Sequence, residues 1–209
     1  MKENRCRLCP RECAVDRKNG ERGVCGQTEG LKVARAALHY WEEPCISGKN
    51  GSGAVFFSGC ALHCVYCQNR EIANGTVGKE ISVGRLAEIF LELMEQGANN
   101  INLVTPGHFV PQIVEALERA RGQGMKLPVV YNTSSYENVD TLKKLEGIVD
   151  IYLPDFKYMS EVLGEKYSHA PDYAVVAKAA IAEMFRQTGT PVFEENGGGA
   201  EEEALIKRG

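Results

Sequence analysis

The sequence predicts an α/β fold built on a parallel sheet, and three observations carry that prediction. Short apolar runs of strand length recur at 53–59, 101–104, 128–132 and 148–153. Segments with helical periodicity alternate with them, the rhythm of parallel strands joined by right-handed crossovers. Three cysteines follow the first run directly, at the strand end where such folds place their chemistry.

Each element has a local reason. Gly53-Ala54-Val55-Phe56-Phe57-Ser58-Gly59 reads as a short buried strand. Ser82 caps a helix running to about Gln96, with Leu86, Ile89, Phe90, Leu93 and Met94 on one face and Gly97 at its end. Ile101-Asn102-Leu103-Val104 is the second strand, and Thr105-Pro106-Gly107-His108 the loop after it. A second helix spans about Val110 to Arg121, with Val110, Ile113, Val114 and Leu117 inward. Pro128 to Asn132 is the third strand. Val139, Leu142 and Leu145 mark a third helix ending at Gly147, Ile148 to Leu153 is the fourth strand, and a last helix covers about Pro171 to Gln187.

Upstream, Leu31 to Leu38 suits a strand or a short helix. His39, a weak ligand candidate, and Trp41 pack or lie at the surface. Glu42-Glu43-Pro44-Cys45 is expected as a loop, because proline disfavours helix in the residue before it. Cys45 is expected as a buried thiol.

Composition narrows the function classes. Hydrophobic content of 44% and charged content of 25% are ordinary for a soluble globular protein. With 24 basic and 28 acidic residues and a net charge of −4, there is no general electrostatic case for nucleic acid. No apolar run is long enough to span a bilayer, and the N-terminus has no apolar signal core. The expected compartment is the cytoplasm, where thiols stay reduced and eight cysteines argue for metal over disulfides.

Seven of the eight fall in two groups. Cys6, Cys9, Cys13 and Cys25 form C-x2-C-x3-C-x11-C in a segment too poor in large apolar residues to build a core, so a metal would supply folding energy. Four thiolates close a tetrahedral zinc site or an iron–sulfur cluster; both stay open, with zinc slightly preferred. Arg5, Arg7 and Arg11 either balance thiolate charge or lie exposed. Cys60, Cys64 and Cys67 form C-x3-C-x2-C, three local ligands for one compact cluster with an iron left open to a substrate.

With Tyr66 before its last cysteine, that spacing resembles the signature of the radical S-adenosylmethionine (SAM) superfamily. The string Gly59-Cys60 through Cys64-Val65-Tyr66-Cys67-Gln68-Asn69-Arg70 is similar to the pyruvate formate-lyase activating enzyme branch, and to activase-related proteins that carry an N-terminal cysteine cluster. The likeness runs from about residue 5 to about residue 193. It implies a 4Fe-4S cluster on Cys60, Cys64 and Cys67, with SAM on the open iron. Transfer of one electron would cleave the sulfonium to a 5′-deoxyadenosyl radical that abstracts hydrogen. It also implies Tyr66 beside the adenine. Thr105 and backbone carbonyls would stand where related enzymes have a Gly-Gly-Glu carboxylate; His108 would either act near the substrate or lie at the surface at a helix start, the second slightly preferred. Asn132 and Thr133, in a segment resembling the Asp-Thr-Asn of the activases, would bind the ribose or methionine end. Lys157 and Asp155, resembling their Asp-x-Lys, would bind the SAM carboxylate and a neighbouring polar group. The implied partners are an electron donor of flavodoxin or ferredoxin type and a glycyl radical enzyme as protein substrate.

The expected organisation is a Cys-rich metal-binding segment at 1–30, a connector at 31–52, and a partial (βα) radical SAM barrel at 53–193. Residues 194–209 follow as an acidic, glycine-rich loop and the start of a strand, Ala204 to Gly209, expected from truncation of the barrel. A non-catalytic iron–sulfur or zinc metalloprotein, or an inactive truncated fragment, is the alternative function.

Overall fold

The structure is a computed structural model describing residues 5–190, 192–195 and 203–206. Residues 5–30 hold one short 3-10 turn, Arg17–Asn19, and otherwise run as turns and irregular chain. The chain then forms β1 (Lys32–His39), α1 (Pro44–Ser47), β2 (Ser52–Phe57), α2 (Arg70–Ala73), β3 (Lys79–Glu80), α3 (Val83–Glu95) and β4 (Ile101–Val104). α4 (Val110–Gly122), β5 (Val129–Thr133), α5 (Val139–Leu142), β6 (Ile151–Pro154), α6 (Glu161–Ser168) and α7 (Tyr173–Thr188) follow.

The main sheet has the order β3-β1-β2-β4-β5-β6. β2, β4, β5 and β6 pair in parallel, as the alternating pattern predicts. β1 joins antiparallel to β2, and β3 to β1. The segment read as a connector is therefore part of the sheet, and one edge of the parallel set is covered rather than open. Pro44 begins α1 instead of holding a loop, because proline at the first helical position has no amide that needs a partner.

Successive strand residues face opposite ways, and the two faces differ. Val55, Leu103 and Tyr131 point into the main core, where α3 and α4 bury Leu86, Phe90, Ile113 and Leu117. Each of the aliphatic and phenylalanine side chains among these contributes about 1.5–3 kcal/mol by leaving water. On the other face, register aligns Ala54, Asn102, Val130 and Ile151 in one layer. Phe56, Val104, Asn132 and Leu153 form the next layer, nearer the carboxyl ends. Ile46 of α1 packs on Val130 and Ile151 and closes the lower layer, whereas all four residues of the upper layer are only half-buried. The sheet thus has a concave side, floored by α1 and open toward the strand ends.

Three boundaries differ from expectation. Ile148–Asp150 is not strand: Val149 is buried in the main core, and the Asp150 carboxylate accepts from Val129 N at 2.9 Å. The third helix is one α turn followed by a 3-10 turn, Lys143–Leu145. α6, which the periodicity does not announce, precedes α7. Near the end, Glu194 and Glu195 belong to β7 (Val192–Glu195) rather than to a loop. β7 pairs antiparallel with β8 (Glu203–Ile206) in a separate two-stranded sheet, so β8 does not extend the barrel. The rest of the expected loop, 196–202, lies outside the described residues, as do 207–209.

Candidate functional site

β2 delivers the chain to the cysteine loop at the carboxyl end of the parallel strands. Gly59 has φ +92°, and a Cβ there would run into the carbonyl oxygen of Cys25, so both conformation and space demand glycine. Leu62, fully buried against Tyr136, Tyr158 and Tyr173, anchors the loop in a second apolar cluster. Cys60 and Cys64 pack on that cluster. Cys60 Sγ accepts from Leu62 N at 3.4 Å and Cys64 Sγ from Ser168 Oγ at 3.2 Å. Burial pushes the Cys60 thiol up, and the nearby Cys64 and Cys67 add to it. A bound metal reverses that balance, because its charge deprotonates a ligating thiol.

Behind Cys64 runs a chain of hydroxyls. Tyr66 donates to the Tyr158 hydroxyl at 2.6 Å, and Tyr158 lies 2.8 Å from Ser168 Oγ. Donors aimed at two of the three sulfurs are what a thiolate-held iron–sulfur cluster uses to set its potential, so the triad and its surroundings fit a cluster. Among the described residues no three His, Cys, Asp or Glu side chains form a group for a single metal ion.

Beside the loop lies a small cleft, lined in part by Cys9, Cys60, Thr105, Thr133 and Glu137. Thr105 takes φ +55°, an uncommon backbone for a β-branched residue. Glu137, only 6% exposed, accepts from Thr133 Oγ1 at 2.6 Å and presses on Gly107, where any Cβ would clash. Burial pushes its carboxyl up to about 7. His108 is not a surface residue. The 3-10 turn Gly107–Phe109 buries it, its Nε2 lies 2.8 Å from the Ser58 carbonyl, and burial pushes its pKa down to about 4.

The other expected SAM contacts divide between two sides of the strand ends. Thr133 joins Thr105 on the cleft. Asn132, one residue earlier, turns to the concave side, where its Nδ2 donates to Glu42 Oε2 at 3.3 Å. The two side chains therefore face opposite sides of the strand. Lys157 Nζ is 2.9 Å from Asp155 Oδ2. Burial alone would push the Lys157 ammonium down, but this carboxylate leaves it raised. Tyr66 is more than half exposed beside the cysteine loop.

The N-terminal segment is clamped over this mouth. Arg11 donates to the carbonyls of Ala61 and Ser168 at 2.9 and 2.7 Å and to that of His169, and its guanidinium lies over the Tyr136 ring. Arg17, buried, bonds the carbonyls of Thr28 and His108 and reaches Cys6 Sγ at 3.9 Å. Burial pushes Cys9 up to about 12 and raises Cys25, with Arg17 easing the latter. Cys9 lines the same cleft as Cys60.

Glu42, Glu137, Tyr158 and Ser168 are the residues sequence reasoning misses. None sits in a spacing of its own; the fold brings each from a separate connection.

The profile of the Radical SAM superfamily matches residues 54–193, most of the chain. An uncharacterized protein of Methanocaldococcus jannaschii is 31% identical over 180 residues, covering 83% of this chain and 51% of its own length. The chain thus spans about half the length of this curated relative. With a matching profile, a half-barrel of parallel strands and the C-x3-C-x2-C loop at its carboxyl end, this chain belongs to the Radical SAM superfamily.

Proposed function

We propose that the chain is a radical SAM enzyme with its cluster on Cys60, Cys64 and Cys67. When bound, the cluster and SAM supply one-electron cleavage of the sulfonium to a 5′-deoxyadenosyl radical that abstracts a hydrogen atom. The observation that carries this reading is the thiol loop, held at the mouth of the parallel sheet with amide and hydroxyl donors on two sulfurs.

The chain's own residues then have defined tasks. Lys157, kept charged by Asp155, offers an ammonium for the SAM carboxylate. Tyr66, fixed by its bond to Tyr158, offers a ring edge or face to the adenine. Thr105 and Thr133 offer hydroxyls from the cleft side, and Asn132 an amide from the concave side. Arg11 ties the N-terminal segment to the cysteine loop and to Ser168, and we propose that Cys6, Cys9, Cys13 and Cys25 bind zinc or a second cluster. An electron donor of flavodoxin or ferredoxin type is the proposed reductant. Activation of a glycyl radical enzyme is proposed from the likeness of the 59–70 string alone.

Anaerobically reconstituted and chemically reduced protein should convert SAM to 5′-deoxyadenosine, and Cys64→Ala should lose that conversion. Equal conversion by Cys64→Ala would overturn the assignment. SAM binding without cleavage in the parent chain would favour a non-catalytic metalloprotein. About four irons with zinc would give the N-terminal thiols to zinc, and about eight irons would give them a second cluster.

A further inference from the structure

The concave side holds a carboxylate that none of the proposed steps uses. Glu42 leaves the β1–α1 connection and turns inward, its backbone N fixed on Ser47 Oγ at 3.0 Å. Its side chain is only 13% exposed. A carboxylate in that position needs charged or donor partners, because it offers about four acceptor sites and has lost most of its water. Its described hydrogen bond is the long one from Asn132 Nδ2, 3.3 Å, and the nearest described cation candidate, His39 Nε2, stands 3.9 Å away. Burial raises its pKa, with Glu43 and Asp155 adding and His39 and the Asn102 amide opposing.

A second, independent observation lies beneath it. Asn102 of β4 is 0% exposed, faces the same side, and has no hydrogen-bond partner for Oδ1 or Nδ2 among the described residues. The amide is close enough to ease the Glu42 anion without completing a bond to it. A buried amide left this way is destabilising, and a ligand that orders the group would recover that loss. Above both, Phe56, Val104, Asn132 and Leu153 are half-buried, one layer nearer the carboxyl ends of the strands. Among the described residues, the charged groups acting on Glu42 are the carboxylates of Glu43 and Asp155, opposed by His39, while Lys157 is held by Asp155.

We infer that Glu42, backed by Asn102 and Asn132, is the anchor for an ammonium or guanidinium group of the substrate, so that the substrate class is a cationic amine. The assignment names a substrate class for the proposed radical SAM enzyme and rests on that reading for its meaning. The apolar walls Phe56, Val104 and Leu153 fit the alkyl carbons of such a molecule, and its charged end lies one layer below the strand ends that carry the cysteine loop. The same ammonium chemistry is present in SAM itself, and the experiment separates the two sources.

Agmatine, which carries both cationic groups, would be titrated into the cluster-reconstituted full chain by calorimetry. 1-Butanol would serve as the neutral comparison, and SAM would be titrated separately. The expected result is saturable agmatine binding, none with 1-butanol, and at least a tenfold loss of agmatine affinity in Glu42→Gln without a matching loss for SAM. Agmatine affinity unchanged in Glu42→Gln, or no agmatine binding to the parent chain, would overturn the proposal. A SAM affinity that falls as far as agmatine's would give the carboxylate to the SAM ammonium and overturn it equally. Glu42→Asp, which keeps charge, should restore part of the affinity if charge rather than fold is at stake. The readout is binding without turnover, so loss of SAM cleavage in the parent chain leaves it standing and tests only the radical SAM reading.

Discussion

Ser168 is the residue on which the environment of the proposed cluster turns. It is fully buried, and its hydroxyl reaches Cys64 Sγ at 3.2 Å while Tyr158 holds it from behind. A donor on a cluster sulfur stabilises the reduced, more negative state and raises the potential. Removing a hydrogen bond of about 1 kcal/mol changes a one-electron potential by roughly 40 mV. Ser168→Ala is therefore expected to lower the cluster midpoint by about that much in an EPR-monitored redox titration, with Ser168→Thr restoring most of it; an Ala midpoint equal to the parent's would remove the role. The residue scale also shows what can be read in advance. Cys60, Cys64 and Cys67 are legible because their whole pattern fits in eight consecutive positions. Ser168 is not, because its partner is 104 positions away and a serine in a helix carries no mark of what it faces.

Elements were legible where one periodicity decided them. The apolar stripe of α3, its Ser82 cap accepting from Arg85 N at 3.0 Å, and the four parallel strands follow from local pattern. β1 was ambiguous because its burial alternates poorly on a sheet margin. His108 was misplaced because a single 3-10 turn, set by tertiary contacts with Ser58 and Arg17, rotates it inward. At this scale the junction of β2 with the N-terminal segment is open to a direct test. Gly59→Ala is expected to cost about 1–3 kcal/mol from backbone conformation, and to push Cys25 off the strand end. Denaturant unfolding would show the destabilisation, and limited proteolysis would show faster cutting within residues 11–30. Cutting at the parent rate would mean that the segment is not held there.

The whole molecule carries two buried groups that titrate against each other. Glu137 is raised to about 7, so between about pH 4.5 and 7 the unfolded chain releases a proton that the folded one keeps, and stability falls as pH rises. His108 is lowered to about 4, so between about pH 6.5 and 4 the unfolded chain binds a proton that the folded one refuses, and stability falls as pH drops. Over the shared window the two slopes have opposite sign, each about 1.4 kcal/mol per pH unit. They are expected to cancel nearly in the parent. Glu137→Gln should leave a stability that rises from pH 4.5 to 6.5, and His108→Gln one that falls. Unfolding free energies at three pH values check both signs, and parallel curves for all three proteins would dismiss the account. Neither group's burial was visible in sequence, since each depends on the N-terminal segment and the strand-end loops closing together.

The clamp of Arg11 also sets an order of events during synthesis. Its acceptors on Ser168 and His169 lie 157 and 158 positions further along the chain. At about 5–20 residues per second a ribosome needs roughly ten to thirty seconds to supply them. Cys6, Cys9, Cys13 and Cys25 are therefore translated well before the Ser168 and His169 carbonyls that Arg11 clamps. In that interval the sheet they will cover is still being made, and the cysteine loop it carries stays open from above. Any assembly factor that must reach both sets of thiols has this interval, before the earlier-made segment closes over the later one.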